Sequence, residues 1–203
     1  MVSDRSHRLT LRDGADVVVR PIAPTDRDAL LAGFERLSEE SRYRRFLGPM
    51  ETLGPSMLAY LTEVDHHDHE ALIALDPPSG DLVGVARFVR TAPGTAEAAV
   101  TVADGWQGRG LGTGLTAMLA ERAMEEGIDR VVAVLLAQNR DMIDLLASVG
   151  SVEVTGREGG TIEVEVPLEE RRGAGKGLYG VLRSAAERAA ALAHPLWPAG
   201  RDR

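Results

Sequence analysis

Gly108, Gly110, Gly112 and Gly114 stand at every second position in "DGWQGRGLGTGL" (residues 104–115), with Arg109 inside the run. Glycine at that density costs backbone entropy and marks a place where something comes close to the main chain. The run opens into "LTAMLAERAMEEG", where Leu111, Leu115, Met118, Leu119, Arg122 and Ala123 recur at helical spacing. Bare amides at a helix N-terminus form an anion site, because unpaired N–H groups and the helix dipole both favour negative charge. The chemistry indicated is phosphate binding. Two nucleotide loops are excluded. A Walker A loop needs lysine followed by Ser or Thr, and the only lysine, Lys176, is followed by Gly177. A dinucleotide fingerprint needs a third glycine where Leu115 stands.

Two further stretches carry reactive groups. Glu97 in "TAEAAVTV" is a lone carboxylate in an alanine-rich strand. "VDHHDHEA" gathers His66, His67 and His69 around Asp68. Imidazoles suit zinc, but adjacent residues of an extended chain point to opposite faces, so a polar turn is expected there and no metal. The chain has no cysteine, which excludes disulfides, thiolate metal sites and a cysteine nucleophile.

These groups need a scaffold. The 203 residues suit one domain with an appendage, and the apolar (44%) and charged (27%) fractions are ordinary for a globular protein. A formal charge of −8 speaks against a nucleic-acid surface and is compatible with a cationic substrate such as an amine. "MVSDRSHRLTLRDG" lacks the apolar stretch of a secretory signal, and no run reaches membrane-spanning length. A cytoplasmic protein with no membrane partner is expected.

"DVVVRP" (16–21) reads as a first strand ended by proline. "TDRDALLAGFERL" reads as a helix capped by Thr25, "SEESRYRRFL" as one capped by Ser38, and "GPSMLAYLTEV" as a short third with Pro55 at its first position. "EALIALD" and "DLVGVARFVR" form a hairpin through "PPSG", and "AEAAVTV" (96–102) is the next strand. After the glycine loop and its helix, closed by Gly127, comes the fully apolar and hence central strand "RVVAVLL" (130–136). "NRDMIDLLASVG" is a helix with Asn139 at its cap and Gly150 past its end, and "SVEVTG" with "TIEVEVPL" is a last hairpin. The main elements run β-α-α-β-β-β-α-β-α-β-β, which predicts an α/β fold of the α+β kind: a mixed, mostly antiparallel central sheet flanked by helices. Residues 1–168 form that domain. Residues 169–203 read as a linker and an amphipathic helix whose Leu178, Leu182, Ala185, Ala189 and Leu192 could pack on the domain or in a homodimer.

Over roughly residues 16–167 this order resembles the GNAT N-acetyltransferase superfamily. The family's motif, Gln/Arg-x-x-Gly-x-Gly/Ala, is met by Gln107-Gly108-Arg109-Gly110-Leu111-Gly112 between a strand and a helix, with "RVVAVLLAQN" following. "RPIAPTDRDAL", "FERLSEESRYRRFL" and "VDHHDHEALIAL" resemble the amino-terminal half of bacterial Pat-type protein lysine acetyltransferases, as does the acidic-then-basic stretch after Leu168. Larger Pat proteins carry an additional nucleotide-binding or synthetase-like domain, which is not expected here.

The resemblance implies acetyl-CoA as cosubstrate and an acceptor amine, most of all a protein lysine. A small amine, or a coenzyme A-binding module without catalysis, are the other readings. It places the pyrophosphate on the loop Gln107, Gly108, Arg109, Gly110, Leu111, Gly112 and Thr113, with Arg109 adding a charge-assisted contact. The preceding strand should splay from its neighbour, so that a backbone N–H in Val100 to Val102 meets the thioester carbonyl. Glu97 matches the base, roughly 10 Å along the strand from Val100 and so acting through water. Asn139 would bond the pantetheine arm or cap its helix. The tyrosine that serves many members as acid is replaced by Leu146, and an aromatic by Ser151. A thiol ionises near pH 8.5, so its thiolate can leave without an acid. The histidine segment should lie beside the acceptor cleft.

Overall fold

In the computed structural model of the protein, residues 6–168 are described. The expected linker and C-terminal helix, Leu178 to Leu192 included, lie outside the described residues. Eight strands form one sheet: β1 (His7–Thr10), β2 (Asp16–Pro21), β3 (His69–Leu75), β4 (Leu82–Ala92), β5 (Thr95–Val102), β6 (Arg130–Leu136), β7 (Glu153–Glu158) and β8 (Thr161–Pro167). Their spatial order is β1-β2-β3-β4-β5-β6-β8-β7. Every neighbouring pair is antiparallel except β5 with β6. The helices are α1 (Arg27–Glu35), α2 (Glu39–Phe46), α3 (Pro55–Thr62), α4 (Leu111–Glu125) and α5 (Arg140–Leu146). The mixed, mostly antiparallel sheet is the architecture expected, with one strand more at its edge.

That strand is β1. Its four residues bury only Leu9, too little alternation to read as a strand. The start of α1 also differs from expectation. Thr25 does not cap it; Pro24–Asp26 is a 3₁₀ turn, and no side chain caps the following helix. Asp26 is occupied instead by a bidentate pair with Arg20 (2.7 Å to each oxygen) and by the Ala23 N–H (2.8 Å). α2 is capped as its sequence predicts, the Ser38 hydroxyl accepting from Ser41 N at 3.1 Å. α3 begins on Gly54 with Pro55 at its first position, where a missing N–H costs nothing.

Side chains of the sheet alternate between two faces. One carries Ala71, Ile73 and Val85 into a core with Leu30 and Phe34 of α1 and Leu58 and Leu61 of α3. α4 covers the other face, with Leu111 and Leu115 wholly buried. It sits close because two glycines allow it. A Cβ on Gly84 would stand 2.8 Å from Leu115, and one on Gly114 would stand 2.5 Å from Leu9. Gly150 has a similar role and does not end a helix by a left-handed turn. Its Cβ would fall 2.2 Å from the Pro167 carbonyl, so it lets the chain after α5 pass against β8. β6 lies inside the sheet as predicted, but its apolar surface is not fully covered: Val134 is 48% exposed.

Candidate active site

The site begins where two strands part. β5 pairs with β6 only at Thr95↔Arg130, Ala96↔Val131 and Glu97↔Val132. β4 stays paired with β5 as far as Val102, and β8 with β6 as far as Leu136. Past Glu97 the edge of β5 that faces β6 therefore has no ladder partner. A cavity of about 240 Å³ occupies this gap, touching Glu97, Ala99 and Val134 on one face and Val100, Leu119 and Leu135 on the other. It adjoins a cavity of about 680 Å³ at the glycine loop, the two sharing Arg44, Arg45, Val100, Asn139 and Met142.

The loop is shaped by left-handed glycines, Gly108 at φ 71° and Gly110 at φ 91°, a region that side chains with a Cβ disfavour by about 1–2 kcal/mol. Gln107 fastens it, its amide donating to Val102 O (3.0 Å) and Ser41 Oγ (3.3 Å). Asp104 ties the loop to the start of α2, accepting from Ser38 N (2.9 Å), Ser38 Oγ (2.6 Å) and Ser41 Oγ (2.8 Å). Burial pushes the Asp104 pKa up, but these donors outweigh it and hold the carboxyl below its ordinary range. Gln107, Gly108, Gly110, Gly112, Thr113, Val100, Val102 and Asn139 all line the larger cavity.

Two motif residues do not. Leu111 is wholly buried in the core, so only its backbone can serve a ligand. Arg109 is engaged elsewhere: its guanidinium stacks on Trp106 at 4.1 Å and its Nε bonds Asp13 Oδ2 at 2.5 Å. The cation beside the loop is Arg12, from the turn between β1 and β2. It lines the larger cavity, and its Nε lies 3.3 Å from where a Cβ on Gly110 would be. Nothing in the motif points to Arg12. The contact follows from the β1–β2 turn bonding the loop through Arg12 N to Arg109 O (3.1 Å).

Glu97 is exposed and lines the smaller cavity. Strand alternation places it on the face opposite Val100, together with Ala99. Its surroundings are not apolar alone, since α2 brings Arg44 and Arg45 to the same cavity. The half-buried Arg45 lies against the Phe46 ring at 5.0 Å. Burial lowers its pKa, while Glu97 and Tyr60 act against that shift. Next to it Arg87, 5% exposed, donates to His69 Nε2 (3.0 Å) and Leu61 O (3.1 Å), and burial pushes its pKa down to about 10. Arginine can only donate, so His69 accepts at Nε2 and is neutral there. Burial and then Arg87 hold the His69 pKa below its ordinary value. Tyr60, 53% exposed, packs against the His69 ring at 5.0 Å.

The other histidines are drawn away. His66 Nδ1 meets the buried Glu70 at 2.7 Å, which also holds Arg122 of α4 at 3.3 Å, and His67 Nδ1 meets Glu126 at 2.5 Å. Of the segment "HHDH", only His69 borders the Tyr60–Arg87 surface. Among the described residues no group of three or more His, Asp or Glu is arranged to hold a metal. Leu146 is buried and lines the smaller cavity, so no donor stands at the usual tyrosine position. Asn139 caps α5, its Oδ1 accepting from Met142 N at 3.3 Å, at the junction of the two cavities.

Diverging strands, a loop of bare amides at a helix start and two joined cavities fit a long phosphorylated chain such as coenzyme A. The comparisons with known proteins agree. The acetyltransferase (GNAT) family model matches residues 33–150. An acetyltransferase of Pseudomonas aeruginosa is 36% identical over 146 residues, covering 70% of this chain and 78% of that protein. The acetyltransferase Pat of Mycolicibacterium smegmatis is 35% identical over 160 residues, covering 77% of this chain and 48% of that protein. Among solved structures, the GNAT domain of S. lividans PAT superposes with a TM-score of 0.76 at 30% identity, over 83% of this chain and 99% of that one. A Salmonella typhimurium protein solved with acetyl-CoA shares the fold, at a TM-score of 0.60 and 22% identity over 77% of this chain and 96% of that one. The chain thus belongs to the GNAT family and is an acetyl-CoA-dependent acetyltransferase.

Proposed function

We propose that the acceptor is the side-chain amine of a protein lysine, with Glu97 as the base. The observation that carries this is the gap itself: the 240 Å³ cavity between β5 and β6 is lined by Glu97 and Val134, both exposed, with the exposed Tyr60 on the same face of the sheet. A long side chain can enter from a large partner there without the partner being enclosed. The likeness to Pat-type enzymes points the same way.

Acetyl-CoA supplies the acetyl group as a thioester. The amides of Gly108 to Thr113 and the Arg12 guanidinium receive its phosphates, and the unpaired edge of β5 at Val100 to Val102 offers an N–H to the carbonyl oxygen. A lysine ammonium, with an ordinary pKa of about 10.4, must lose a proton before its nitrogen can attack. Glu97 takes that proton through water. The new N–C bond forms as the C–S bond breaks, and the thiolate departs unaided because Leu146 offers no proton. The nitrogen's second proton passes to water, from which the thiolate is protonated in solution.

Incubating the purified chain with labelled acetyl-CoA and either a protein mixture or a panel of small amines tests the acceptor. Acetyl-lysine in defined proteins, at rates well above those on polyamines and amino acids, is expected. Label transferred only to the small amines would overturn the reading.

A further inference from the structure

The acceptor side of the gap holds more positive charge than a site for an ammonium should. Arg87 is a buried cation whose hydrogen-bond partners, His69 Nε2 and the Leu61 carbonyl, are both neutral. Arg45 lines both the 240 Å³ and the 680 Å³ cavities, and with Arg87 it lines a third of about 60 Å³. Its guanidinium contacts the Phe46 ring. Among the described residues no carboxylate forms an ion pair with either arginine. Arg44, which lines both larger cavities, differs: it is paired with Glu40 at 2.5 Å and faces Asp141 at 3.5 Å.

A buried charge is ordinarily paired, because the cost of removing it from water is otherwise uncompensated. Glu97 is the one nearby carboxylate that acts on Arg45, and a single carboxylate cannot neutralise two guanidiniums. An incoming ammonium would add a third positive charge. The arrangement becomes reasonable if an anion arrives with the substrate.

We infer that Arg45, backed by Arg87, forms a carboxylate-binding position beside Glu97 at the acceptor end of the strand gap. Arg45 is the contact, since it lines both larger cavities. Arg87 is a positioning residue that raises the potential behind it. A carboxylate could come from two sources: an acidic group next to the amine on the acceptor, or the far end of a dicarboxylic acyl group carried by coenzyme A. In the second case the reaction is the same acyl transfer, with the amine nitrogen replacing sulfur at the thioester carbon and the distal carboxylate unchanged. The acceptor arm rests on the protein-lysine reading above; the donor arm does not.

The test uses the full chain, reading kcat/KM in the acceptor arm and Kd in the donor arm. The acceptor arm compares lysine peptides flanked by Glu with the same peptides flanked by Gln, and free lysine with lysinamide in case no peptide reacts. The donor arm measures the affinity of succinyl-CoA against butyryl-CoA by titration calorimetry, which needs no acceptor. In one arm at least, a preference of tenfold or more for the carboxylate is expected, weakening as salt is raised. It should vanish in Arg45→Gln and return in part in Arg45→Lys. Melting temperature and coenzyme A affinity of Arg45→Gln establish that the variant is folded. Absence of preference beyond threefold in both arms, or a preference unchanged in a folded Arg45→Gln, would overturn the proposal. Failure to acetylate any peptide, with a charge preference still seen for free lysine or succinyl-CoA, would count against the protein acceptor alone.

Discussion

Replacing Gly112 with alanine separates the fold of the loop from its use. Gly112 lies in the first turn of α4 and is not at positive φ, so alanine fits its backbone. The added Cβ would stand 3.4 Å from Leu145 Cδ1 and 3.7 Å from Val102 Cγ2, ordinary contact distances. Alanine is favoured over glycine in helices by up to about 1 kcal/mol. The unliganded protein should therefore keep its stability or gain by that amount, which for a domain of this size raises Tm by about 2–4 °C. Binding should change in the opposite direction. Val102, Leu145 and Gly112 all border the 680 Å³ cavity, so the methyl narrows the space proposed for the donor. A loss of about 1.4 kcal/mol, tenfold in Kd for coenzyme A, is expected. Gly112→Glu adds like-charge repulsion and should lose a hundredfold or more. Scanning calorimetry of the apo protein and titration calorimetry with coenzyme A measure the two effects. Affinities within twofold of wild type in both variants would refute the placement of the donor.

Arg12→Ala should weaken coenzyme A binding by about 1.5–3 kcal/mol, the range for a hydrogen bond to a charged group, and flatten its salt dependence. Arg109→Ala should weaken it less, because Arg109 is held by Asp13 and Trp106; equal losses measured by calorimetry would contradict that difference. Stability should fall with acid through His69. Its folded pKa lies below the unfolded value, so the neutral form's contribution is complete above about pH 6.5 and is lost as pH drops through the lower folded value. Urea unfolding at pH 7.5 and pH 5 should show this loss, and His69→Gln should reduce it; the same slope in the variant would rule His69 out.

Much of the site was legible because it is local. A glycine loop between a strand and a helix occupies consecutive residues, and its conformational needs are written in residue type. The Ser38 and Asn139 caps are local in the same way. What was missed depends on contacts between distant segments. Arg109 is the cation that the motif offers, while the β1–β2 turn brings Asp13 to it and a second arginine, Arg12, to the cavity. Thr25 has the residue type of a cap, but the Arg20–Asp26 pair builds a different start to α1. Gly150 follows a helix and resembles a terminator, yet its backbone is close to Pro167. The apolar run in β6 suggests coverage on both faces; it correctly places the strand inside the sheet, while the uncovered part of Val134 belongs to the face proposed for the acceptor. The arginine pair on that face comes from α2 and β4, with no spacing that joins them in sequence.

The most direct test of the central claim is the pH–rate profile of Glu97→Gln beside wild type, at saturating acetyl-CoA and with an amine acceptor that the wild type acetylates. If Glu97 removes the amine proton, coenzyme A affinity should be unchanged and kcat should drop by roughly 10²–10⁴ near neutral pH. The deficit should shrink as pH approaches the acceptor's own pKa, where the amine needs no base. A rate equal to wild type across pH 6–10 would contradict the account.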